Sequence, residues 1–545
     1  VSDITLLTPR SDFLIDSSVF APLGILYLSS VLKKHMDVQC LDFGIGHTID
    51  DISSDIVGIS FTSPQRTDAF KIAKELKSRG KYLIAGGAHP TYKTQECFDN
   101  GFDVVYTGEA ENSSFSFFPN ITGIVNQGFR AENIDTIPFP DRDALPIKEY
   151  KYYINDRLAT TIITSRGCPA NCLHGDTIIH TTDGDIPIKE LAKKEIYPKI
   201  LTRDPITNEL IFAKTSLVTK TRENAPLVRV HFQDNTFIDC TPDHRFMTFI
   251  NGNQFQSVKE TETEAKDLKP GQSVRAVHEN HKIDYVENLP YTSDVYCLEV
   301  PGYDWFYTNK VLVHNCSFCA RLPGKFRMQS AERTIAEINH VRDKYGYDAF
   351  MIFDDTFIVS KKRLSKIAEE FRNENLIFRC FGRADVLQNE HICELLKQLN
   401  VVEVGIGIES GSETILSRNF KKTTPEINAA ALHNLKKNNI RTKAFIIVGL
   451  PGETEKTIEE TRNWLRKYQP SDVDFSVFQP YPGSQIFNDP ERYEVEFSYV
   501  DDLSCYKGKP GEYKSSCRTK ELTSEQIVKY RDEMENEFKN KEKLK

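Results

Sequence analysis

Two cysteine-bearing stretches, RGCPANC at 166–172 and HNCSFC at 314–319, stand at the edges of an abrupt change of texture. Before the first, short apolar runs (DITLLTP, VQCLDF, DIVGISF, KYLIAGG, DVVYTG) alternate with helix-like ones (PLGILYLSSVLKKH, RTDAFKIAKELKSRG). After the second the rhythm returns, with AFMIFDD, LIFRCFGRAD, VEVGIGIES and TKAFIIVGLPG as strands and SAERTIAEINHVRDKYG as a helix. That alternation predicts parallel sheets covered by helices. Between about 175 and 315 helical spacing largely vanishes. Runs such as DTIIHTTDG, PLVRVHFQDNTFIDCT and SDVYCLEVPG are joined there by Asp-Gly, Asn-Gly and Pro-Gly turns, which are hairpin signals. An all-β block set inside an α/β chain requires separate cores, and at 545 residues the chain is too long for one.

The bulk properties exclude more than they specify. A net charge of −9 gives no overall field for nucleic acid, so no nucleic-acid partner is expected. No apolar run approaches the roughly 18–20 residues that span a bilayer, and the opening VSDITLLTPRSDFLID lacks the basic region of a signal peptide. A cytoplasmic protein with no membrane partner is the expectation. Twelve cysteines in such a chain point to metal or catalytic use before disulfides. Cys40, Cys97, Cys380 and Cys393 are expected to be plain buried residues.

The edges of the β block carry chemistry. The Asn315 side-chain amide can attack its own carbonyl carbon and cleave the chain after itself, with His314 supplying the proton transfer. Cys316 is a thiol nucleophile, and Cys172 can convert the Asn171 peptide bond to a thioester. CLHGDT (172–177), TPDH (241–244), VYCLEV (295–300) and VLVHN-C (311–316) resemble, in order, the motifs of inteins, self-splicing domains of the Hint fold. The resemblance implies that Cys172 is the first nucleophile, Thr241 and His244 activate its bond, His314 assists, Asn315 cyclises and Cys316 accepts the transferred segment. Cys297 stands where many inteins have Asp, which implies a tuning or relay role. Asp304 stands where many have a second His, which implies slower C-terminal cleavage. About fifty residues separate TPDH from VYCLEV, too few for a homing endonuclease, so the block resembles a mini-intein. The alternative, a β-rich binding insert in a surface loop, leaves both cysteines and the His-Asn pair without a role.

Removing 172–315 joins Asn171 to Cys316 and creates RGCPAN-CSFCAR, with Cys168-x3-Cys316-x2-Cys319. By themselves three such cysteines also suit a zinc site lacking one ligand. With FDDTF (353–357), GIGIESGSE (405–413), FIIVGLPGET (445–454) and QPYPGS (479–484), the joined chain resembles radical S-adenosylmethionine (SAM) enzymes. That resemblance implies a partial (β/α)6 barrel and an oxidoreductase or transferase. A [4Fe–4S] cluster would be held by Cys168, Cys316 and Cys319, with one iron open to SAM. It further implies Phe318 near the adenine, Gly407, Glu409 and Ser410 facing the SAM amino and ribose groups, Gly449 at a later adenine-side turn, and a protein reductant such as flavodoxin or ferredoxin. Asp354 and Asp355 either bind substrate or SAM, or cap the next helix. A zinc or redox module without SAM chemistry is the rival reading of the host.

The first domain, with LDFG, GGAHPT (86–91), YTGEAE (106–111) and the linker IPFPDR, resembles the cobalamin-binding-like domain that precedes many radical SAM domains. Gly86, Gly87 and Gly108 fall at expected strand ends, where doubly wound sheets bind ligands. The pattern D-x-H-x-x-G is absent, since Asp42 and His47 are five apart. Cobalamin bound in another mode and a cofactor-free domain both stay open. Cys505 and Cys517 are expected to be structural. The expected boundaries are 1–125 for the cobalamin-binding-like domain, 126–160 for a linker, 161–171 and 316–490 for the radical SAM domain, 172–315 for the mini-intein and 491–545 for a C-terminal extension.

Overall fold

The computed structural model describes residues 2–11, 14, 16–113, 122–167, 172–194, 196–204, 207–215, 217–249, 260–277, 281–300, 303, 305–314, 326–419, 421, 423–482, 484–498 and 513–539. They fall into two compact units, Val1–Arg166 with Arg327–Lys545, and Gly167–Phe326.

The discontinuous unit opens with a parallel sheet of β1 (Ile4–Thr8), β2 (Val38–Asp42), β3 (Ile56–Ser60), β4 (Tyr82–Gly86), β5 (Val104–Thr107) and β6 (Ile124–Gln127), in the order β2-β1-β3-β4-β5-β6. Both faces are covered. Leu23, Ile25 and Leu26 lie in the core on one side, and Ala69, Ile72, Ala73 and Leu76 in the core on the other. The inner strands β1, β3, β4 and β5 are therefore near-continuous apolar runs, as a parallel sheet requires. The order reverses between β1 and β3, which makes the carboxyl ends of those strands and of β4 a ligand-binding edge.

A second sheet in this unit runs Asp472–Val477, Arg441–Val448, Val401–Glu409, Ile377–Phe381, Ala349–Ile352, Arg157–Ile162 and Tyr153–Ile154. All are parallel except the last, which pairs antiparallel with Arg157–Ile162. In Arg441–Val448 every second residue (Thr442, Ala444, Ile446, Val448) is buried, the period of a strand with two unlike faces. Six parallel strands with helices outside form the partial barrel. The stretch between the sheets holds three 3-10 turns, Ile134–Thr136, Arg142–Ala144 and Ile147–Glu149. Arg142 docks it, donating to Thr160 Oγ1 (2.9 Å) and Thr161 O (2.6 Å). The linker expected over 126–160 is too wide, because β6 enters its start and the barrel's first strands its end. Short edge strands such as Ile124–Gln127, with alternating exposure, carry no apolar run for a sequence reading to find.

The other unit is built on antiparallel strands, with the long pair Leu217–Phe232 and His281–Glu299 as its spine. Among its described residues Ile188–Lys193 is a short helix, burying Ile188 and Leu191, and Ala265–Asp267 a 3-10 turn. No described helix is long and apolar enough to cross a membrane.

Candidate functional site

The β unit brings its expected nucleophile against its expected activator. Cys172 precedes Leu173–His174, where Leu173 pairs with Cys240 on one side and Tyr296 on the other. That register sets Cys172 beside Thr241. The Thr241 N–H donates to Cys172 O (3.0 Å), and the Cys172 N–H donates to Thr241 Oγ1 (3.2 Å). Both residues are 0% exposed. The His244 N–H closes the turn on Thr241 O (2.9 Å), and its buried ring stands edge-on to Phe246. Cys297 packs against the cluster of Cys172, Ala225, Leu227 and Val295. His314 ends the strand Val311–His314, which runs antiparallel to Arg245–Phe249 with Val313 opposite Phe246. The end of that strand and the turn carrying His244 thus lie at the same edge of the sheet. Asn171, Asp304, Asn315 and Cys316 lie outside the described residues.

One neighbour of Cys172 has no motif to announce it. Thr221 Oγ1 is 2.7 Å from Cys172 Sγ and donates its own proton to Val295 O (3.0 Å). The thiol S–H is therefore the donor toward Thr221. The register slips between Lys220 and Arg222, so Thr221 is the extra residue of a bulge, a device that re-aims a side chain.

In the host, the arms that enter and leave the β unit are paired. Arg166 lies opposite Arg327 and Ser165 opposite Met328 in a short antiparallel ladder. Asp354 secures the first arm, accepting from Thr164 N–H (2.6 Å), Thr164 Oγ1 (2.6 Å) and Ser165 Oγ (2.8 Å). Burial pushes its carboxyl up against the pull of these bonds. The next helix, Lys361–Phe371, is capped by Ser360 instead. Asp354 thus braces the backbone leading to Cys168, a third role beside the two the sequence offered, while Asp355 is exposed. Cys168, Cys319 and Phe318 lie outside the described residues.

At the carboxyl ends of the barrel strands, Glu409 has a left-handed backbone (φ 63°) beside a register shift after Gly407. Strain of this kind costs roughly 1–3 kcal/mol and gathers at functional sites. Glu409 Oε1 is paired with Lys421 Nζ at 2.7 Å. A Cβ on Gly407 would lie 2.4 Å from that carboxylate, so the ion pair rests against bare backbone. Phe353, 43% exposed, stands between Phe20 and Phe381 with ring centroids 5.3 and 5.9 Å away. A carboxylate and an ammonium are groups of the kind that meet an amino acid's ends, and an exposed aromatic face is one that a ring can stack on. Ser410 is turned away, fully buried with Oγ 3.0 Å from Thr461 Oγ1. Gly449 (φ 95°) has its side-chain position filled by Ile527, and Glu453 accepts its N–H at 2.6 Å. Burial pushes the Glu453 carboxyl up to about 8.

At the carboxyl edge of the first sheet, a Cβ on Gly86 or Gly108 would meet open space, whereas one on Gly87 (φ 102°) would strike Phe61 O at 2.8 Å. At Gly86 and Gly108 the backbone of this edge is open to close approach. His47 is turned inward, its Nδ1 3.1 Å from Asp42 N. Sequence reasoning missed a chain of polar contacts through the buried His89: Ser63 Oγ lies 3.0 Å from His89 Nδ1, and His89 Nε2 lies 3.3 Å from Glu96 Oε2. His89 and Arg66 hold the Glu96 carboxyl below its usual range. The sole prior signal was GGAHPT, which marks the turn and not its partners. Cys40, Cys97, Cys380, Cys393 and Cys517 are buried, their thiols pushed up to between about 11 and about 12 by burial.

The B12 binding domain model matches residues 17–114, and the Radical SAM superfamily model matches residues 313–465. The second match begins at the far edge of the β unit and leaves out Cys168. An uncharacterized methyltransferase of Pyrococcus horikoshii is 22% identical over 86% of this chain and 77% of its own. The structure of OxsB, a cobalamin-dependent SAM radical enzyme with aqua-cobalamin and SAM bound, aligns over 91% of this chain and 56% of that one (15% identity, TM-score 0.51). A DnaB intein from Synechocystis covers 27% of this chain and 99% of its own, at 23% identity and TM-score 0.24. The B12 match narrows the two readings left open for the first domain in favour of cobalamin. The chain carries a B12-binding domain and a domain of the radical SAM superfamily, with a unit of antiparallel strands inserted between the first barrel strands and the rest of the barrel sheet.

Proposed function

We propose that the chain is a precursor that excises 172–315 by its own chemistry and becomes a cobalamin-dependent radical SAM enzyme, of methyltransferase type. The observation that carries this reading is the in-register pairing of Arg166 with Arg327 across the insert. The host arms are already neighbours, as two halves of one loop must be. In the insert, the nitrogen of the Asn171–Cys172 peptide is the one whose N–H Thr241 Oγ1 holds. When Cys172 Sγ attacks the Asn171 carbonyl, that nitrogen becomes the leaving amine, and Thr241 keeps it in place while it gains a proton. Thr221 Oγ1 lies beside the thiol until then, and the proton that the amine gains is the one the thiol gives up. The Cys316 thiol then takes the Asn171 acyl group from Cys172, whose thiol leaves with the proton. Asn315 cyclises, its side-chain nitrogen displacing the Cys316 amine and freeing 172–315. That amine then takes the acyl group from its own sulfur, so an amide joins Asn171 to Cys316 and puts Cys168, Cys316 and Cys319 on one loop.

In the host, Glu409 and Lys421 would orient the amino and carboxylate groups of SAM, and Gly86, Gly87 and Gly108 would admit cobalamin to the first sheet, with Ser63 backed by His89. When bound, the cluster supplies the electron for reductive SAM cleavage and cobalamin a methyl carrier. A protein reductant of flavodoxin or ferredoxin type, and a cytoplasmic setting, belong to the same reading. Anaerobic iron–sulfur reconstitution of the spliced host, with dithionite and SAM, should release 5′-deoxyadenosine or transfer the SAM methyl group to bound cobalamin. Retained zinc with neither product would overturn this reading for a zinc or redox module.

A further inference from the structure

We propose that Glu109 is a positioning residue that clamps both arms of the interrupted loop, so that the host halves are in register before the insert leaves. The inference rests on the splicing reading and deepens it.

Arg166 and Arg327 are direct cross-strand partners. Two like charges set opposite each other on a short ladder repel and destabilise it. Two carboxylates, Glu109 and Glu111, offset this, and of these Glu109 bridges both arginines. Glu109 Oε2 accepts from Arg166 and from Arg327 at 3.0 Å each, and Glu109 Oε1 pairs with the other terminal nitrogen of Arg327. Arg327 also donates to Ala131 O (2.8 Å), and Arg166 pairs with Glu111 Oε1 (2.7 Å) and lies over the Tyr27 ring. The three side chains are mostly buried, at 18% (Glu109), 17% (Arg166) and 6% (Arg327) exposure. Charge-assisted bonds in such a setting are stronger than their exposed equivalents. Glu109 follows β5 directly after Gly108, so the clamp is anchored on the first sheet, which folds without the insert in its core.

The chemical consequence is one of effective concentration. The thioester on 167–171 must meet Cys316 before water or another thiol reaches it, and holding both arms on one stem favours that encounter. Glu109 touches no reacting atom.

The test uses the full chain and reads, by intact mass, the ratio of ligated host to cleaved fragments. Glu109→Gln should lower that ratio by about tenfold, as should Arg327→Gln, and the double variant should be no worse than the poorer single, because both break one interaction. Glu109→Asp keeps the neutralising charge and should recover at least half of the lost ratio. Thiol-induced cleavage at Cys172, a reaction of the insert alone, should stay as in the unvaried chain in all of them, which a general folding defect would not allow. An unchanged ratio in Glu109→Gln, losses that multiply in the double variant, or an Asp variant as poor as Gln would overturn the clamp. If the unvaried chain yields no ligated host at all, the splicing reading itself fails.

Discussion

The two candidate sites in this chain are built on opposite terms. In the insert, Cys172, Thr241 and His244 are sealed from solvent and held by strand register and by hydrogen bonds among themselves and Thr221. In the host, Gly86 and Gly108 face open space and Phe353 keeps 43% of its surface exposed. A residue that acts on its own backbone needs no door, and on the proposed reading burial would protect the thioester from water. A site that must admit a cofactor and a substrate keeps its bare backbone and aromatic surface at strand ends. On the proposed reading, the degree of closure separates intramolecular chemistry from ligand chemistry within one polypeptide.

The contrast breaks most sharply at the insert. A Cys172→Ala, Asn315→Ala chain should remain full length by mass, with no ligated host and no free 172–315. The host should answer in stability instead. Asp354→Ala leaves the buried Thr164 and Ser165 donors without their carboxylate and should cost about 3 kcal/mol in the host unfolding transition, read by denaturant melts, while thiol-induced cleavage at Cys172 persists. Within the insert, Thr241→Val removes the hydroxyl from the scissile nitrogen but keeps the backbone N–H on Cys172 O. Thiol-induced cleavage should slow by about a hundredfold, the scale of losing one preorganised polar contact at a reacting centre.

The smallest effect per measurement is a pH slope. Glu453, raised from 4.5 to about 8, binds a proton in the folded chain that the unfolded chain has lost over that range. Host stability should therefore fall as pH rises from the ordinary carboxylate range toward 8, at about 1 kcal/mol per pH unit. Glu453→Gln should flatten that slope. An equally steep decline in the variant would show that Glu453 does not carry it.

Where features could be read from the sequence depended on how local they are. The switch from α/β to β rhythm and the two edges of the insert were legible because turns and motifs are short-range signals. The meeting of Cys172 with Thr241 was legible only through resemblance. Thr221 was not legible at all, since it reaches Cys172 through a bulge that only strand pairing creates. Asp354 was visible as one of two carboxylates, but its partners Thr164 and Ser165 lie about 190 residues earlier. Glu109 and His89 sat inside quoted motifs and were passed over for the glycines beside them. Long-range polar pairing leaves no period in the sequence, so the residues that brace and clamp the sites emerged only from the fold.

The central claim is that the two sites act in sequence, with the closed one making the open one. It is tested most directly by the intact mass of the unvaried chain after expression and incubation under reducing conditions. Two species are expected: a host of 1–171 joined to 316–545, and a free fragment of 172–315. A chain that stays whole at 62.3 kDa under those conditions would contradict the account.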